Sequence, residues 1–510
     1  MRKFALISVS DKKGIETLAM QLESLGYTIL STSNTAKHLM QYCKSVVQVS
    51  DVTGFPEILD GRVKTLHPKI HAGILANRSV PDHMKTLEEH GIDRIDIVVV
   101  NLYPFAETRQ RASATHEDII ENIDIGGPCL IRAAAKNYAN VCVLVDPDDY
   151  QATLAHLEQA KQLPEQWSSY LAQKAFALVS AYDAEIADYF QQECNSNVIP
   201  ATLDVTCKLV SPLRYGENPH QQAGFYAKSK GWDLLHGMEL SFNNIVDIDA
   251  SLRAIRLFDE PTVVIVKHTN PCGIGSGTSL AEAYKKAFAT DPLSPFGGIV
   301  IVNRSLDQEA AELINQIFTE IIIAPAYEDG VLGFLKKKKN RRLISFNPQT
   351  LEQPINPLEI KTLTWGYLVQ EWDMVNEAMD TWKIVTKRSP STSEMKALVY
   401  GWKAVSLLKS NAIAIVKDGM VLGLGSGQTS RIDSTSLAFW KAEKFGHELN
   451  ESVCASDGFF PYRDSIDEVY KHGIKAIIQP GGSKGDEDCI QACNELGIAM
   501  VFTGFRHFRH

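Results

Sequence analysis

Val264-Ile265-Val266-Lys267-His268-Thr269-Asn270-Pro271-Cys272-Gly273-Ile274-Gly275-Ser276-Gly277 decides the reading of the chain's second part, because its pattern returns 150 residues later. There Ala414-Ile415-Val416-Lys417 is followed, again six residues after the lysine, by Gly423-Leu424-Gly425-Ser426-Gly427. Ile322-Ile323-Ala324-Pro325 finds its counterpart in Ile477-Ile478-Gln479-Pro480, displaced by 155, so a small insertion separates otherwise matching halves. Strand, loop and helix repeated in the same order read as a duplicated α/β fold. The alternative is a chance likeness between short apolar runs.

Toward the N-terminus the pattern alternates. Phe4 to Val9, Tyr27 to Ser31, Ile95 to Asn101 and Val141 to Asp146 are strand-like, and Gly14 to Leu25 is helix-like. That alternation implies an α/β layer with a largely parallel sheet, whose ligands collect outside the carboxyl ends of the strands. The polar stretch Gln191 to Asn197, then Pro200, reads as a boundary. It divides the chain into domains 1–199 and 200–510, the second split again into halves of about 200–365 and 366–510.

With 510 residues, 45% apolar and 22% charged, the chain exceeds what a single core organises. A net charge of −10 argues against a surface for a nucleic-acid polymer, which needs a basic stripe. The apolar run Phe4 to Val9 is cut short by Ser10-Asp11-Lys12-Lys13, leaving no signal core or membrane span and making the cytoplasm the expected compartment. Nine dispersed cysteines suit neither a disulfide framework nor zinc knuckles. The basic run Lys336 to Lys339, continuing through Arg341 and Arg342, reads as a solvated helix end.

Several segments carry the chemistry. Gly61-Arg62-Val63-Lys64-Thr65-Leu66-His67-Pro68-Lys69-Ile70-His71 gathers cations, imidazoles and a hydroxyl in a stretch too polar and Pro-broken for a helix, so it is either an anion-binding loop or an exposed basic turn. Asp124-Ile125-Gly126-Gly127-Pro128 opens a helix-like run, where backbone N–H groups suit a phosphate or oxyanion, or simply form a tight connection. Lys267-His268 at a strand end reads as an acid/base pair, each cation depressing the other's proton affinity, or as a structural pair on a wet loop. Neither glycine cluster completes a dinucleotide fingerprint and no Walker motif is present, which demotes NAD and ATP. Asn270 and Gly275 stand where zinc deaminases need glutamate and cysteine, so a metal is not expected either.

Read together, these segments resemble the bifunctional aminoimidazole carboxamide ribotide (AICAR) formyltransferase and inosine monophosphate (IMP) cyclohydrolase family over essentially the whole chain. The resemblance is carried by Ser8 to Lys12, Val52 to Glu57, Gly61 to His71, Asn101-Leu102-Tyr103-Pro104-Phe105, Asn122 to Pro128 and Arg132 to Asn137. It continues through Leu213 to Gln221, Val266 to Gly273, Phe296-Gly297-Gly298, Ser410-Asn411-Ala412, Gly427 to Arg431, Ser456-Asp457, Phe459-Phe460-Pro461 and Arg506-His507-Phe508. It implies a methylglyoxal-synthase-like parallel-sheet domain followed by duplicated cytidine-deaminase-like α/β domains, assembled as a homodimer with the transformylase site across the interface.

The resemblance also implies roles. In formyl transfer from 10-formyltetrahydrofolate, His268 would take the amine proton, Lys267 would stabilise the oxyanion or protonate the departing folate nitrogen, and Asn411 would orient the carboxamide. Arg214, Tyr215, Arg431 and Arg506 would hold the ribotide and Asp457 would face the folate, with Phe296, Gly297, Glu320 and Gly458 also lining that site. In cyclisation of formyl-AICAR to IMP, Lys64, Tyr103, Asp124 and Lys136 would act. Ser10, Lys12, Thr35, Arg62, Thr65, Asn101, Ile125, Gly126 and Gly127 would bind the nucleotide, with Lys12, Thr35, Lys64 and Thr65 around its phosphate. No metal, NAD or ATP is implied.

This chain departs from the family at three points. Ser31-Thr32-Ser33-Asn34-Thr35 stands where a Ser-Thr-Gly-Gly-Thr turn is usual, Lys13 replaces a threonine, and Glu320 replaces a frequent aspartate. The loss of two glycines raises an alternative in which the first domain binds nucleotide as a regulator without closing the ring.

Overall fold

A computed structural model describes residues 3–160, 163–193, 199–227, 231–351, 358–375 and 379–510. They form two compact units that part between Thr206 and Cys207. Residues 194–197 of the polar stretch read as a boundary lie outside the described residues.

The first unit is built on β1 (Lys3–Ser8), β2 (Thr28–Ser31), β3 (Val46–Gln48), β4 (Arg94–Val100) and β5 (Cys142–Leu144). They pair in the order β3-β2-β1-β4-β5, every pair parallel. Ala5, Leu6 and Ile7 of β1 and Val98 and Val99 of β4 are fully buried, the continuous apolar pattern of a sheet covered on both faces. Strand order reverses between β1 and β4, so the crevice outside their carboxyl ends is the natural ligand position. The Gly61 to His71 segment corrects its reading as helix-free. Pro68 opens the helix Pro68–Leu75, and His67 caps it by accepting the Lys69 N–H at Nδ1, 3.2 Å away. Proline is favoured at a first helical position, where its missing N–H has no role to lose.

The second unit begins with a two-stranded ribbon, β6 (Lys208–Leu213) and β7 (Ala223–Ala227). Its first half holds β8 (Trp232–His236), β9 (Thr262–Lys267), β10 (Asn270–Ser276), β11 (Ile299–Val302), β12 (Ile321–Ala324) and β13 (Arg342–Phe346). A hairpin of β14 (Leu358–Leu363) and β15 (Gly366–Glu371) follows, and the expected division near 365 falls in its turn. The second half holds β16 (Lys383–Ile384), β17 (Ile413–Lys417), β18 (Met420–Gly425), β19 (Val453–Ser456), β20 (Ala476–Gln479) and β21 (Ala499–Phe502).

Twelve of these strands form a single sheet ordered β16-β21-β20-β19-β17-β18-β10-β9-β11-β12-β13-β8. From the central β18-β10 seam outward, both sides repeat the same path: an antiparallel hairpin, three parallel strands, then an antiparallel edge strand. Helices cover both faces. Val264 and Val266 of β9 enter a core shared with the helices Phe242–Ile255 and Thr392–Val405, while Val263 and Ile265 face the helix Leu280–Thr290.

The two glycine clusters are strands, which corrects the strand-loop-helix reading to strand-turn-strand-helix. A Cβ on Gly273 would strike the Ala287 carbonyl, and one on Gly425 the Ser434 carbonyl. The glycines let the helices Leu280–Thr290 and Arg431–Lys444 lie directly on β10 and β18. The basic run also divides. Lys336 to Lys339 are exposed, whereas Arg341 and Arg342 are buried, Arg341 donating to the Thr319 carbonyl at 3.2 Å and to Asn315 Oδ1 at 2.9 Å. The eight described cysteines are free thiols, and no described helix is long and apolar enough to cross a membrane.

Candidate active sites

In the first unit, the loops after β1, β2 and β4 converge. Asn101, just past β4, accepts the N–H groups of Ser10 and Asp11 at 2.5 and 3.1 Å and donates to the Asp11 carbonyl at 2.8 Å. Lys12 Nζ donates to Thr35 Oγ1 at 3.0 Å and to the carbonyls of Val9 and Ser10. Burial lowers the proton affinity of Lys12, with Asp11 opposing the shift and nearby Lys64 reinforcing it.

Asp124 lies at the amino end of the helix Gly126–Lys136, accepting the Gly127 N–H at 2.8 Å. Burial pushes its carboxyl up, against the pull of that hydrogen bond and of the Lys64 charge. Its own N–H donates to Tyr182 Oη at 2.8 Å, a tyrosine that no motif singles out. The glycines let this turn pack closely, since a Cβ on Gly127 would press on the Asp124 carboxylate and Leu102, and one on Gly126 would come close to Thr65 Oγ1. Lys12, Thr35, Lys64, Thr65 and Asp124 therefore gather, with Tyr103 and Ile125 exposed beside them. Arg62 is exposed and paired with Glu121.

Lys136 is not brought to this group. It closes the same eleven-residue helix that Asp124 precedes, ~15 Å of helical rise from Gly126. The altered turn at Ser33-Asn34 is also filled. Ser33 donates its N–H and its hydroxyl to the two Glu57 oxygens at 3.1 and 2.8 Å.

In the second unit, β9 and β10 are joined by a two-residue turn, His268-Thr269, both residues left-handed with φ of 53° and 63°. Lys267 Nζ donates to the Phe296 carbonyl at 2.8 Å. The Phe296 ring is exposed, and Gly297, at φ 74°, donates its N–H to the Phe318 carbonyl at 2.7 Å. Because β10 runs antiparallel to β18 with Gly275 opposite Met420, the Asn270 end of β10 and the Gly425 end of β18 meet one edge of the sheet. Asn411, just before β17, stands at that edge, its N–H and side-chain amide both donating to the Gln428 carbonyl at 3.1 and 2.9 Å.

Glu320 accepts from Asn244 at 3.0 Å and pairs with Arg342 at 2.9 Å. Arg214 and Arg506 are exposed, Arg214 donating to Tyr215 Oη at 3.0 Å and Arg506 lying 4.6 Å from the Phe508 ring centre. Arg431 and Asp457, implied to hold ribotide and to face folate, make their contacts within the second unit. They are buried and paired with each other, and Gly458 packs against Arg431. Asp457 also accepts from Ser410 Oγ and from the Ala412 N–H at 3.0 Å, and Arg431 donates to the Ala412 carbonyl at 3.1 Å. The pair thus fixes the segment that carries Asn411. Sequence reasoning also passed over Asp247, which accepts the Thr269 N–H at 2.6 Å. It lies on a helix with no motif of its own.

Comparison with known proteins bears on both units. The AICARFT/IMPCHase bienzyme family matches residues 134–441, and the MGS-like domain family matches residues 14–129. "Bifunctional purine biosynthesis protein PurH" of Acetivibrio thermocellus is 48% identical over 518 aligned positions, covering 100% of both chains. The protein of the same name from Caldicellulosiruptor saccharolyticus is 47% identical over 521, again covering 100% of both. A solved structure titled "Crystal structure of ForH" is 37% identical, covering 38% of this chain and 100% of that one, with a TM-score of 0.34.

Proposed function

The chain belongs to the AICARFT/IMPCHase bienzyme family, formyltransferase and cyclohydrolase of purine biosynthesis, and from that premise we propose how its two units divide the chemistry. The second unit transfers a formyl group from 10-formyltetrahydrofolate to the amine of AICAR. The first unit closes formyl-AICAR to IMP with loss of water.

In formyl transfer the AICAR amine nitrogen bonds to the formyl carbon and the bond from that carbon to the folate nitrogen breaks. His268, exposed at the tip of its turn, takes the proton the amine sheds. Lys267, anchored on the Phe296 carbonyl, faces the tetrahedral oxyanion and supplies the proton the folate nitrogen gains. Asn411 has its amide N–H engaged by Gln428, which leaves the side-chain oxygen to accept from the substrate carboxamide. Arg214 and Arg506 present free guanidinium edges suited to a phosphate. Arg431 and Asp457 act at one remove, by holding Asn411.

In ring closure the carboxamide nitrogen bonds to the formyl carbon and the oxygen leaves as water. Lys64 neutralises the developing oxyanion, Asp124 orients the amide, and Lys12, Thr35 and Thr65 receive the phosphate. Neither step changes an oxidation state, so neither calls for NAD. We place the enzyme in the cytoplasm as a homodimer. The β14–β15 hairpin supports a second copy, since it presents Leu363, Trp365, Tyr367 and Leu368 to solvent, the indole 97% exposed.

The observation that carries the reading is the pair of half-buried Lys267 and exposed His268 on the sheet edge where Asn411 also stands. The test is an assay in two stages, AICAR with 10-formyltetrahydrofolate and then formyl-AICAR alone. His268→Ala should abolish formyl transfer only and Lys64→Ala should impair ring closure only. Loss of both activities in either variant overturns the division of labour.

A further inference from the structure

Duplication gives this fold an internal control. Positions 150 apart are equivalent: Ser241 and Ser391 cap corresponding helices, Phe242–Ile255 and Thr392–Val405, and Lys267 and Lys417 end corresponding strands. The second half turns from β17 to β18 through Asp418-Gly419, with φ of 46° and 68°, the residue pair that two-residue hairpins prefer. The first half makes the same left-handed turn with His268-Thr269. Neither residue has glycine's freedom, and threonine, branched at Cβ, is among the least suited to a positive φ.

Something must hold the first turn that the second does not need. The helix Phe242–Ile255 packs on β9 and places Asp247 under the turn, with Oδ1 2.6 Å from the Thr269 N–H and the His268 N–H directed at the same carboxylate. At the equivalent position beneath Asp418-Gly419 stands Ala397. The carboxylate is present under the strained turn and absent under the relaxed one.

We propose that Asp247 is a positioning residue for formyl transfer, gripping the backbone of the His268-Thr269 turn so that the imidazole is presented to the substrate amine. This rests on the assignment of His268 as the base. Asp247 touches no substrate. It acts by removing the turn's freedom to relax, and a base displaced by about 1 Å forfeits on the order of 100-fold in rate.

The test uses the full-length enzyme and measures kcat and KM for formyl transfer in Asp247→Ala, Asp247→Asn, Asp247→Ala/Thr269→Gly and His268→Ala. Asp247→Ala should lower kcat by ~100-fold while leaving the KM for AICAR close to wild type. Asp247→Asn, which keeps an oxygen acceptor for the Thr269 N–H, should recover part of that loss. Thr269→Gly in the alanine background should recover kcat as well, because glycine takes the left-handed conformation unaided. A wild-type kcat in Asp247→Ala, a loss expressed in KM, or no recovery with Thr269→Gly each overturn the proposal. If Asp247→Ala does not fold, the asparagine variant decides by the same split between kcat and KM. His268→Ala separates the two assignments: full activity there removes the base itself, whereas an inactive His268→Ala beside fully active Asp247 variants removes only the positioning role.

Discussion

The Arg431 guanidinium is paired with the Asp457 carboxylate inside the second unit, the side chains 5% and 0% exposed, and both bond to the backbone of Ala412, next to Asn411. Removing one member leaves the other charged and enclosed. Asp457→Ala should destabilise the second unit by ~3–5 kcal/mol in denaturant unfolding, the usual scale for a broken buried pair. The double variant Arg431→Met/Asp457→Leu should regain most of that stability without regaining formyl transfer. Full activity in the double variant would show that Asn411 needs no such support.

Lys64 and Lys136 make a paired test of the first site. Lys64 lies close enough to Asp124 to pull on its carboxyl, whereas Lys136 sits at the far end of the intervening helix. Lys64→Ala should cut the ring-closure rate by ~100-fold or more, as the loss of one oxyanion partner does elsewhere. Lys136→Ala should leave it nearly unchanged. An equal loss in both would mean that Lys136 reaches the reaction by a route other than this helix.

Asp124 carries a consequence for stability against pH. Burial raises its carboxyl above the ordinary value, so the ionised form opposes folding. The carboxyl's contribution to stability is full below the unfolded-state value and is lost as pH rises through the higher folded-state one. Asp124→Asn should therefore melt higher than wild type near pH 8, with the difference closing under acid, while ring closure is lost. About 1 kcal/mol corresponds to ~2–4 °C for a unit of this size. A lower melting temperature near pH 8 would show that the carboxylate holds the helix start more than its burial opposes it.

Glu57 places a negative charge on the Ser33 turn, two residues from Thr35. Glu57→Gln should tighten IMP binding by up to ~5-fold, the size of one solvent-exposed charge interaction. Titration calorimetry on the full chain decides it, and weaker binding would mean that the carboxylate is needed to shape the turn.

Period and order made much of this fold readable. The apolar runs that became β1, β2, β4 and β5 and the 150-residue repeat are local patterns. What escaped depends on distance in space. Three residues, Val46 to Gln48, are too few to announce β3. The glycines at 273 and 425 look like loop residues until helices are seen resting on them. Arg431 and Asp457 belong to motifs, yet only packing reveals that they satisfy each other. Asp247 is met some twenty residues before the turn it grips, on a helix whose sequence says nothing of chemistry.

The seam between β10 and β18 turns the two hairpins toward opposite sides of the sheet. Ser276 donates its N–H to the Gly419 carbonyl at 2.7 Å, which sets the Asp418-Gly419 turn at the end of β10 farthest from His268. On that far side the counterpart of Asn411 is Pro261, and that of His268 is Asp418. Under the proposed roles, one architecture is used twice for folding and once for catalysis. The idle rim keeps a ready-made scaffold, already braced by its twin, on which a protein engineer can install a second reaction centre without disturbing the first.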